Sequence, residues 1–349
     1  LKRIAVIPGD GIGPEVIAEA VSVIKAAAEI FSFDVSLEFF DWGAEKYVAT
    51  GITLPEGALE MLASDYDAIL AGAFGDPRVP DNRHAKDILL GMRSGLDLYI
   101  NLRPIKLIDE RLCPLKGRGP ADVNFVVFRE NTEGIYVFMG GNFKKGSADE
   151  IAVQEEINTR KGVERIITAA FTYAQEHGRK RVTMSDKSNV LTYGHDLWQR
   201  TFKQVAAQYP EIETNHLYID VLTMWMALDP GRFDVIVTNN LFGDIITDLG
   251  AALQGGLGMS ASGNIHPGRV SLFEPVHGSA PQLAGKNVSN PIAAILTAAM
   301  MLEYLGFVEA SNKIERAVEE TVRDKATTVD IGGSLSTHEA GEAIRQRLG

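Results

Sequence analysis

Cysteine is nearly absent from this chain. The one residue, Cys113, has no partner for an intramolecular disulfide. Such usage fits a reducing compartment, so a cytoplasmic protein is expected. Long apolar runs are missing as well. The most apolar stretch, Ile292 to Leu302, contains Thr297 and stops at Glu303. It is too short to span a bilayer and reads as a buried core helix. The apolar residues Ile4 to Ile7 are too few for the core of a secretory signal and read as a first β-strand. Basic charge is in deficit. Against 46 Asp and Glu stand 34 Lys and Arg, a formal balance of −12, which argues against non-specific nucleic-acid binding. No internal repeat, low-complexity segment or Walker-type lysine loop is present, which removes the usual sign of a phosphoryl-transfer site.

What is present has the balance of an ordinary globular protein, with 45% apolar and 23% charged residues. The length of 349 residues suits two domains or one large one. Strand-like runs at Ile4 to Ile7, Asp67 to Ala71, Phe125 to Phe128, Val182 to Met184 and Val235 to Val237 alternate with helical patterns. Those patterns include Pro14 to Ile30, Gly162 to His177, Leu197 to Tyr209 and Ile292 to Tyr304. Such alternation predicts an α/β protein with parallel pairing. Residues 137 to 158 break the pattern. Their turn and strand chemistry predicts a surface loop or an arm exchanged with a partner subunit.

The chemistry concentrates in a few places. Asp244 and Asp248 lie four residues apart on a predicted helix that follows the strand Val235 to Val237. They share one helical face at the end of a strand, where open α/β sheets bind ligands. Hard carboxylates so placed suit Mg²⁺ or Mn²⁺. Arg93, Arg103 and Arg129 adjoin apolar segments, and guanidinium groups there can grip carboxylates in bidentate fashion. Tyr136 and Lys187 are acid–base candidates. Like charge from a cation and arginines would favour the neutral form of Lys187, fitting it to act as a base. Asp220, expected at the end of a strand Leu217 to Ile219, is a third carboxylate available to a metal. The turn Gly9-Asp-Gly-Ile-Gly13 opens the first helix but lacks the G-x-G-x-x-G spacing of a dinucleotide fingerprint. His277 lies in a loop rich in turn formers that could wrap an adenine or a phosphate.

Taken in order, these residues resemble the metal-dependent β-decarboxylating dehydrogenases of 2-hydroxy acids, the isocitrate and isopropylmalate dehydrogenase family. The resemblance rests on Ile7 to Glu15, Asn101 to Pro104, Arg129 to Gly134, Asn240 to Asp244 and Phe273 to Pro281, and it covers nearly the whole chain. It implies a two-domain α/β fold with a large mixed sheet flanked by helices, not a Rossmann fold. Residues 1–100 with 255–349 would form a larger, cofactor-side domain. Residues 101–254 would carry the metal ligands and the dimer interface, including the arm at 137–158. By resemblance, Arg93, Arg103 and Arg129 hold substrate carboxylates, and Asp220, Asp244 and Asp248 hold Mg²⁺ or Mn²⁺. Lys187 would take the hydroxyl proton and Tyr136 would protonate the enol left by loss of CO₂. Lys187 and Asp220 would reach the site from the partner of a homodimer. NAD would lie along Ile12, His277, Gly278, Ser279, Ala280, Gln282, Leu283 and Asn290. Gln282 can bond a ribose and offers no charge to a 2′-phosphate, and Asp330 to Ser334 brings no basic cluster, so NAD is favoured over NADP.

For the substrate, Leu89 and Leu90 match the leucine pair that packs on an isopropyl group in isopropylmalate enzymes. The serine and asparagine of an isocitrate enzyme and the extra arginine of a homoisocitrate enzyme are both missing. Arg129 to Gly134, with Asn131-Thr-Glu133 where typical bacterial isopropylmalate enzymes have Leu-Thr-Gly, and Cys113 to Arg118 look more like D-malate and tartrate enzymes, whereas Asp186 to Leu191 favours isopropylmalate. A non-catalytic regulatory subunit should lack one of Tyr136, Lys187 or the three aspartates, and all are present.

Overall fold

A computed structural model describes residues 1–349. The chain opens with β1 (Lys2–Gly9), α1 (Gly13–Phe31), β2 (Val35–Phe39), α2 (Ala44–Thr50), α3 (Ala58–Asp65), β3 (Ala68–Ala73) and α4 (Arg83–Gly95). It continues through β4 (Ile100–Lys106), β5 (Asn124–Glu130), β6 (Gly140–Phe143), β7 (Ile151–Gln154), α5 (Arg160–Glu176) and β8 (Arg181–Asp186). Next come α6 (Gly194–Ala206), β9 (Glu213–Tyr218), α7 (Ile219–Leu228), β10 (Val235–Thr238) and α8 (Asn240–Gln254). The chain finishes with β11 (Ala261–Ile265), β12 (Ser271–Pro275), α9 (Ile292–Tyr304), α10 (Val308–Arg323) and α11 (Thr337–Gln346).

Ten strands form one sheet in the order β2-β1-β3-β12-β11-β4-β5-β10-β8-β9. The first five come from residues 1–99 and 255–349, the last five from residues 100–254, and hydrogen bonding between β11 and β4 joins them. The sheet is mixed, as the family resemblance implies, whereas the alternation of strands and helices by itself points to parallel pairing. β11 runs antiparallel to both β12 and β4, and β4 runs antiparallel to β5. The reason lies in the connections. A parallel pair needs a crossover, usually a helix, whereas residues 107–123 between β4 and β5 hold no α-helix, only a 3₁₀ turn at Glu110–Leu112. β11 and β12 are likewise joined by a short loop.

The stretch Ile4 to Ile7 within β1 is uniformly apolar because it is covered from both sides. Ile4 and Val6 pack on the main core with α1 and α9, while Ala5 and Ile7 face a second core under α3 and α4. Buried on both faces, it cannot afford a polar side chain. Helix α9 lies between α1, α10 and the strands β11 and β12, which accounts for its apolar surface on nearly every side. No helix of the chain is long and apolar enough to cross a membrane. The segment 137–158 contains the β6–β7 hairpin, which is separate from the main sheet and exposed along both strands. Phe138, Phe143, Ile151 and Val153 are among its exposed apolar residues. An isolated two-stranded hairpin is at best marginally stable in water, so this one needs a covering surface.

The glycine turn after β1 packs rather than cradles. At Gly11, with φ of +57°, a Cβ would lie 2.0 Å from the Ser279 carbonyl oxygen. Only glycine lets the two loops meet. Between the glycines, buried Asp10 accepts hydrogen bonds from the Ala44 amide (2.6 Å), the Gly75 amide (2.8 Å) and His84 Nε2 (2.8 Å). One carboxylate thus ties α2, the loop after β3 and the first turn of α4 to the turn. Asp10→Ala leaves these donors without an acceptor and should lower the unfolding free energy by about 3 kcal/mol. The shift in the urea midpoint measures it, and a loss below about 0.5 kcal/mol would show that the clamp carries no weight.

Candidate active site

Helix α8 begins directly after β10 because Asn239 caps it, its side-chain oxygen accepting from the Phe242 amide at 2.9 Å. Arg129 is the penultimate residue of the neighbouring strand β5, paired in register with Thr238. Arg129 is 1% exposed. Its Nε and Nη2 donate to Asn240 Oδ1 at 3.0 and 2.7 Å, and Nη1 donates to Asp244 at 2.5 Å. The approach requires Gly243, where a Cβ would lie 2.4 Å from Arg129 Cγ.

Asp244 is the hub. Its second oxygen accepts from the Tyr136 hydroxyl at 2.9 Å, and Arg103 Nη2 lies 3.7 Å from the first. Arg103 also donates from Nη1 to Thr247 on α8. Burial disfavours the charge on Asp244, but Arg129 and Arg103 outweigh it and hold its pKa below the ordinary value. Burial likewise pushes down the pKa of both arginines, and Asp244 opposes the shift. The Tyr136 hydroxyl moves up, chiefly through burial, with Arg129 opposing and Asp244 reinforcing the rise. The Arg129 guanidinium lies 5.2 Å from the centre of the Tyr136 ring.

Arg93 comes from α4, in the part of the fold built from residues 1–99 and 255–349. It donates to Glu274 at 2.9 Å, and Glu274 also accepts from Asn264 at 2.9 Å. Asn264 in turn receives Asn101 and Asn131, so a buried polar chain fixes the middle of the sheet. The Nε atoms of Arg93 and Arg103 are buried without a partner, which leaves donor capacity for an anionic ligand. On α4, Leu89 packs partly against the second core, whereas Leu90 is half-buried and belongs to no core cluster. Leu90 and Arg93 stand three residues apart and share a helical face.

Lys187 and Asp220 form a separate pair. Lys187 follows β8 and donates to Asp220. Asp220 does not end a strand as expected: β9 stops at Tyr218, and Asp220 sits in the first turn of α7, where acidic residues suit the helix N-terminus. Its hydrogen bond from Lys187 holds its pKa below the ordinary value. The charge beside Lys187 within the chain is therefore a carboxylate and not the expected arginines. No three His, Cys, Asp or Glu side chains of this chain converge to hold a metal ion. One chain brings together Asp244, Asp248, Tyr136 and the arginines, and holds Asp220 with Lys187. The donors Asp244 and Asp248 fit Mg²⁺ or Mn²⁺ in kind, since both favour carboxylate oxygen.

On the cofactor side, the Ile12 amide donates to the Ser279 carbonyl at 2.8 Å. A cavity of about 740 Å³ opens between Phe74–Asn82 and Gly278–Gln282. Ala280 holds a positive φ of 38°, a strained conformation for a side chain other than glycine. His277 Nδ1 lies 3.0 Å from the Gly278 carbonyl and its Nε2 is buried without a partner. Burial also pushes its pKa down. A neutral imidazole with a spare acceptor fits a nucleotide. Gln282 is exposed and Leu283 half-buried. Asn290 is already engaged, donating to Asp330 at 3.0 Å and accepting from the Ile292 amide at 3.0 Å.

The family description "isocitrate/isopropylmalate dehydrogenase" matches residues 3–344. The chain belongs to the isocitrate/isopropylmalate dehydrogenase family. It is 47% identical to the 3-isopropylmalate dehydrogenase of Thermobifida fusca, covering 99% of this chain and 97% of that one. It is 46% identical to the 3-isopropylmalate dehydrogenase of Streptomyces coelicolor, covering 97% and 99%. Among solved structures, the isocitrate dehydrogenase of Methylococcus capsulatus superimposes with a TM-score of 0.90 at 37% identity, covering 100% of this chain and 99% of that one. The TT0538 protein of Thermus thermophilus superimposes with a TM-score of 0.87 at 36% identity, covering 99% and 68%.

Several residues that shape this family site are not apparent from residue type and spacing. Glu274 and Asn240 lie inside recognised motifs, yet only the fold shows that they orient Arg93 and Arg129. Asp10 and His84 are 74 positions apart, and no local pattern joins them. Gly243→Ala must displace Arg129 and should lower kcat/KM by roughly 10–100-fold, about 1.4–2.8 kcal/mol. Steady-state kinetics check this, and kcat/KM within about twofold of the parent, under one kcal/mol, would refute the steric argument.

Proposed function

We propose that the protein carries out NAD-dependent oxidative decarboxylation of (2R,3S)-3-isopropylmalate to 2-oxoisocaproate, as in leucine biosynthesis. Mg²⁺ or Mn²⁺ assists, and the active unit is a homodimer. The observation that carries the substrate assignment is the face of α4 that presents Leu90 beside Arg93. An apolar side chain next to a guanidinium suits a substrate with a branched alkyl group beside a carboxylate. The segment that looks like D-malate and tartrate enzymes has structural work instead. Asn131 donates to the Leu98 carbonyl and Asn264, and the Glu133 carboxylate accepts from the Thr159 amide and hydroxyl at the start of α5. Its departure from isopropylmalate enzymes is therefore no sign of a different substrate.

In this reading Arg93, Arg103 and Arg129 bind and orient the two carboxylates. Lys187 of the partner subunit removes the 2-hydroxyl proton, and Tyr136, with its pKa raised and its hydroxyl protonated, delivers a proton to C3 after CO₂ departs. Asp244, Asp248 and Asp220 of the partner subunit would hold the cation, which would supply Lewis acidity for the hydroxyl and the ketone, and bound NAD would supply the hydride acceptor. The exposed apolar side chains of the β6–β7 arm support pairing of two chains. Cofactor contacts would come from Ile12, His277 to Ala280, Gln282 and Leu283, and from Asn290 if it releases Asp330. The uncharged Gln282 supports NAD.

Turnover of 3-isopropylmalate, D-malate, tartrate, isocitrate and homoisocitrate with NAD and Mn²⁺ tests the proposal. Leu90→Ala should lower kcat/KM for 3-isopropylmalate by roughly 10–100-fold and that for D-malate by only a few-fold. A parent enzyme that prefers D-malate, or equal losses on both substrates, would favour the D-malate or tartrate reading.

A further inference from the structure

His195 is fully buried at the start of α6 and meets three elements of the site at once. Its Nδ1 lies 2.7 Å from the Lys187 amide nitrogen. A backbone N–H can only donate, so Nδ1 must be the bare acceptor and the ring proton of the neutral imidazole sits on Nε2. That proton points to Glu156 Oε1 at 3.2 Å, at the root of the β6–β7 arm. Asn239, the cap of the helix that carries Asp244 and Asp248, donates to the same oxygen at 3.0 Å. Asn239 Nδ2 also lies 3.2 Å from His195 Nε2, but both atoms carry protons, so they share the Glu156 acceptor. Burial would raise the Glu156 carboxyl, yet the hydrogen bond from His195 helps hold it below its ordinary value, an anion that fixes the tautomer.

We propose that His195 is a positioning residue for Lys187: its Nε2–H tautomer, set by Glu156, presents Nδ1 to the Lys187 amide and locks the lysine loop to the arm root and the cap of α8. The proposal rests on the assignment of Lys187 as the base. Lys187 is the first residue beyond β8, where the sheet no longer fixes the backbone. The imidazole supplies the missing anchor. An element that crosses to a second chain and the loop that serves that chain's site are thereby joined through one ring.

Two substitutions separate anchoring from filling. In His195→Asn the amide oxygen can occupy the place of Nδ1, whereas in His195→Gln the amide reaches the place of Nε2 and abandons the Lys187 amide. On the best substrate, His195→Gln should lower kcat by roughly 10–100-fold with KM within about threefold. His195→Asn should lose markedly less. Equal kcat losses in the two variants would overturn the proposal. If neither folds, Glu156→Gln decides, because it keeps the volume but removes the charge that sets the tautomer. It should lower kcat several-fold at constant KM, and an unchanged kcat would overturn the proposal. Nitrogen NMR shifts of labelled histidine in the parent protein give an independent reading: a protonated Nδ1 on His195 contradicts it. Lys187→Ala run alongside tests the underlying assignment separately, since activity retained there removes the base and leaves the tautomer result standing.

Discussion

The site depends on one ion pair, the buried Arg129 with the half-exposed Asp244. A guanidinium taken out of water costs several kcal/mol unless its donors are met, and here Asn240 and Asp244 meet them. That requirement dictates much else. Residue 243 must be glycine for the side chain to lie against α8. Asn239 must start the helix where it does, so that Asn240 and Asp244 face Arg129. With one Asp244 oxygen fixed by Arg129, the other is presented to Tyr136. The acid candidate, a metal-type carboxylate and two anion-binding arginines are thus held by a single electrostatic constraint.

Lys187 and Asp220 lie apart from this cluster as a pair of their own. Arg93, Arg103 and Arg129 converge with Glu274 and Asp244 as their ion-pair partners, and Asp248 adds charge at the rim. Lys187, just past β8, meets Asp220 in the first turn of α7. The exposed apolar hairpin and the separate Lys187–Asp220 pair both support the proposed arrangement, in which two chains would complete each other's sites. His195 and Asn239, meeting on Glu156, link the arm root to both halves.

Local chemistry made the α/β class, the helix carrying Asp244 and Asp248, the apolar helix α9 and the excursion at 137–158 readable in advance. Each is written in periodicity, length or turn residues close together in the chain. The antiparallel strands β4 and β11 were not, because strand direction depends on connections, and β4 to β5 looks like any other gap between apolar runs. Asp220 was placed at a strand end because Leu217-Tyr-Ile219 is apolar, yet the helix claims Ile219. The glycine turn was recognised as departing from the dinucleotide spacing, but what it packs against, Ser279, is 268 positions away from Gly11. Asp10, His84, Glu156 and His195 escaped notice for the same reason: a buried polar group shows its purpose only when its partners from distant segments are in place.

The division of the site between two chains is the claim on which the mechanism rests, and subunit mixing tests it most directly. Lys187→Ala and Tyr136→Phe are each expected to be inactive alone. In a heterodimer of the two, one site would draw an intact Tyr136 from one chain and an intact Lys187 from the other. Random re-pairing of equal amounts should therefore recover activity approaching about one quarter of the parent's. Exchange of subunits demonstrated by mass, with no turnover recovered, would show that both residues serve the same chain's site.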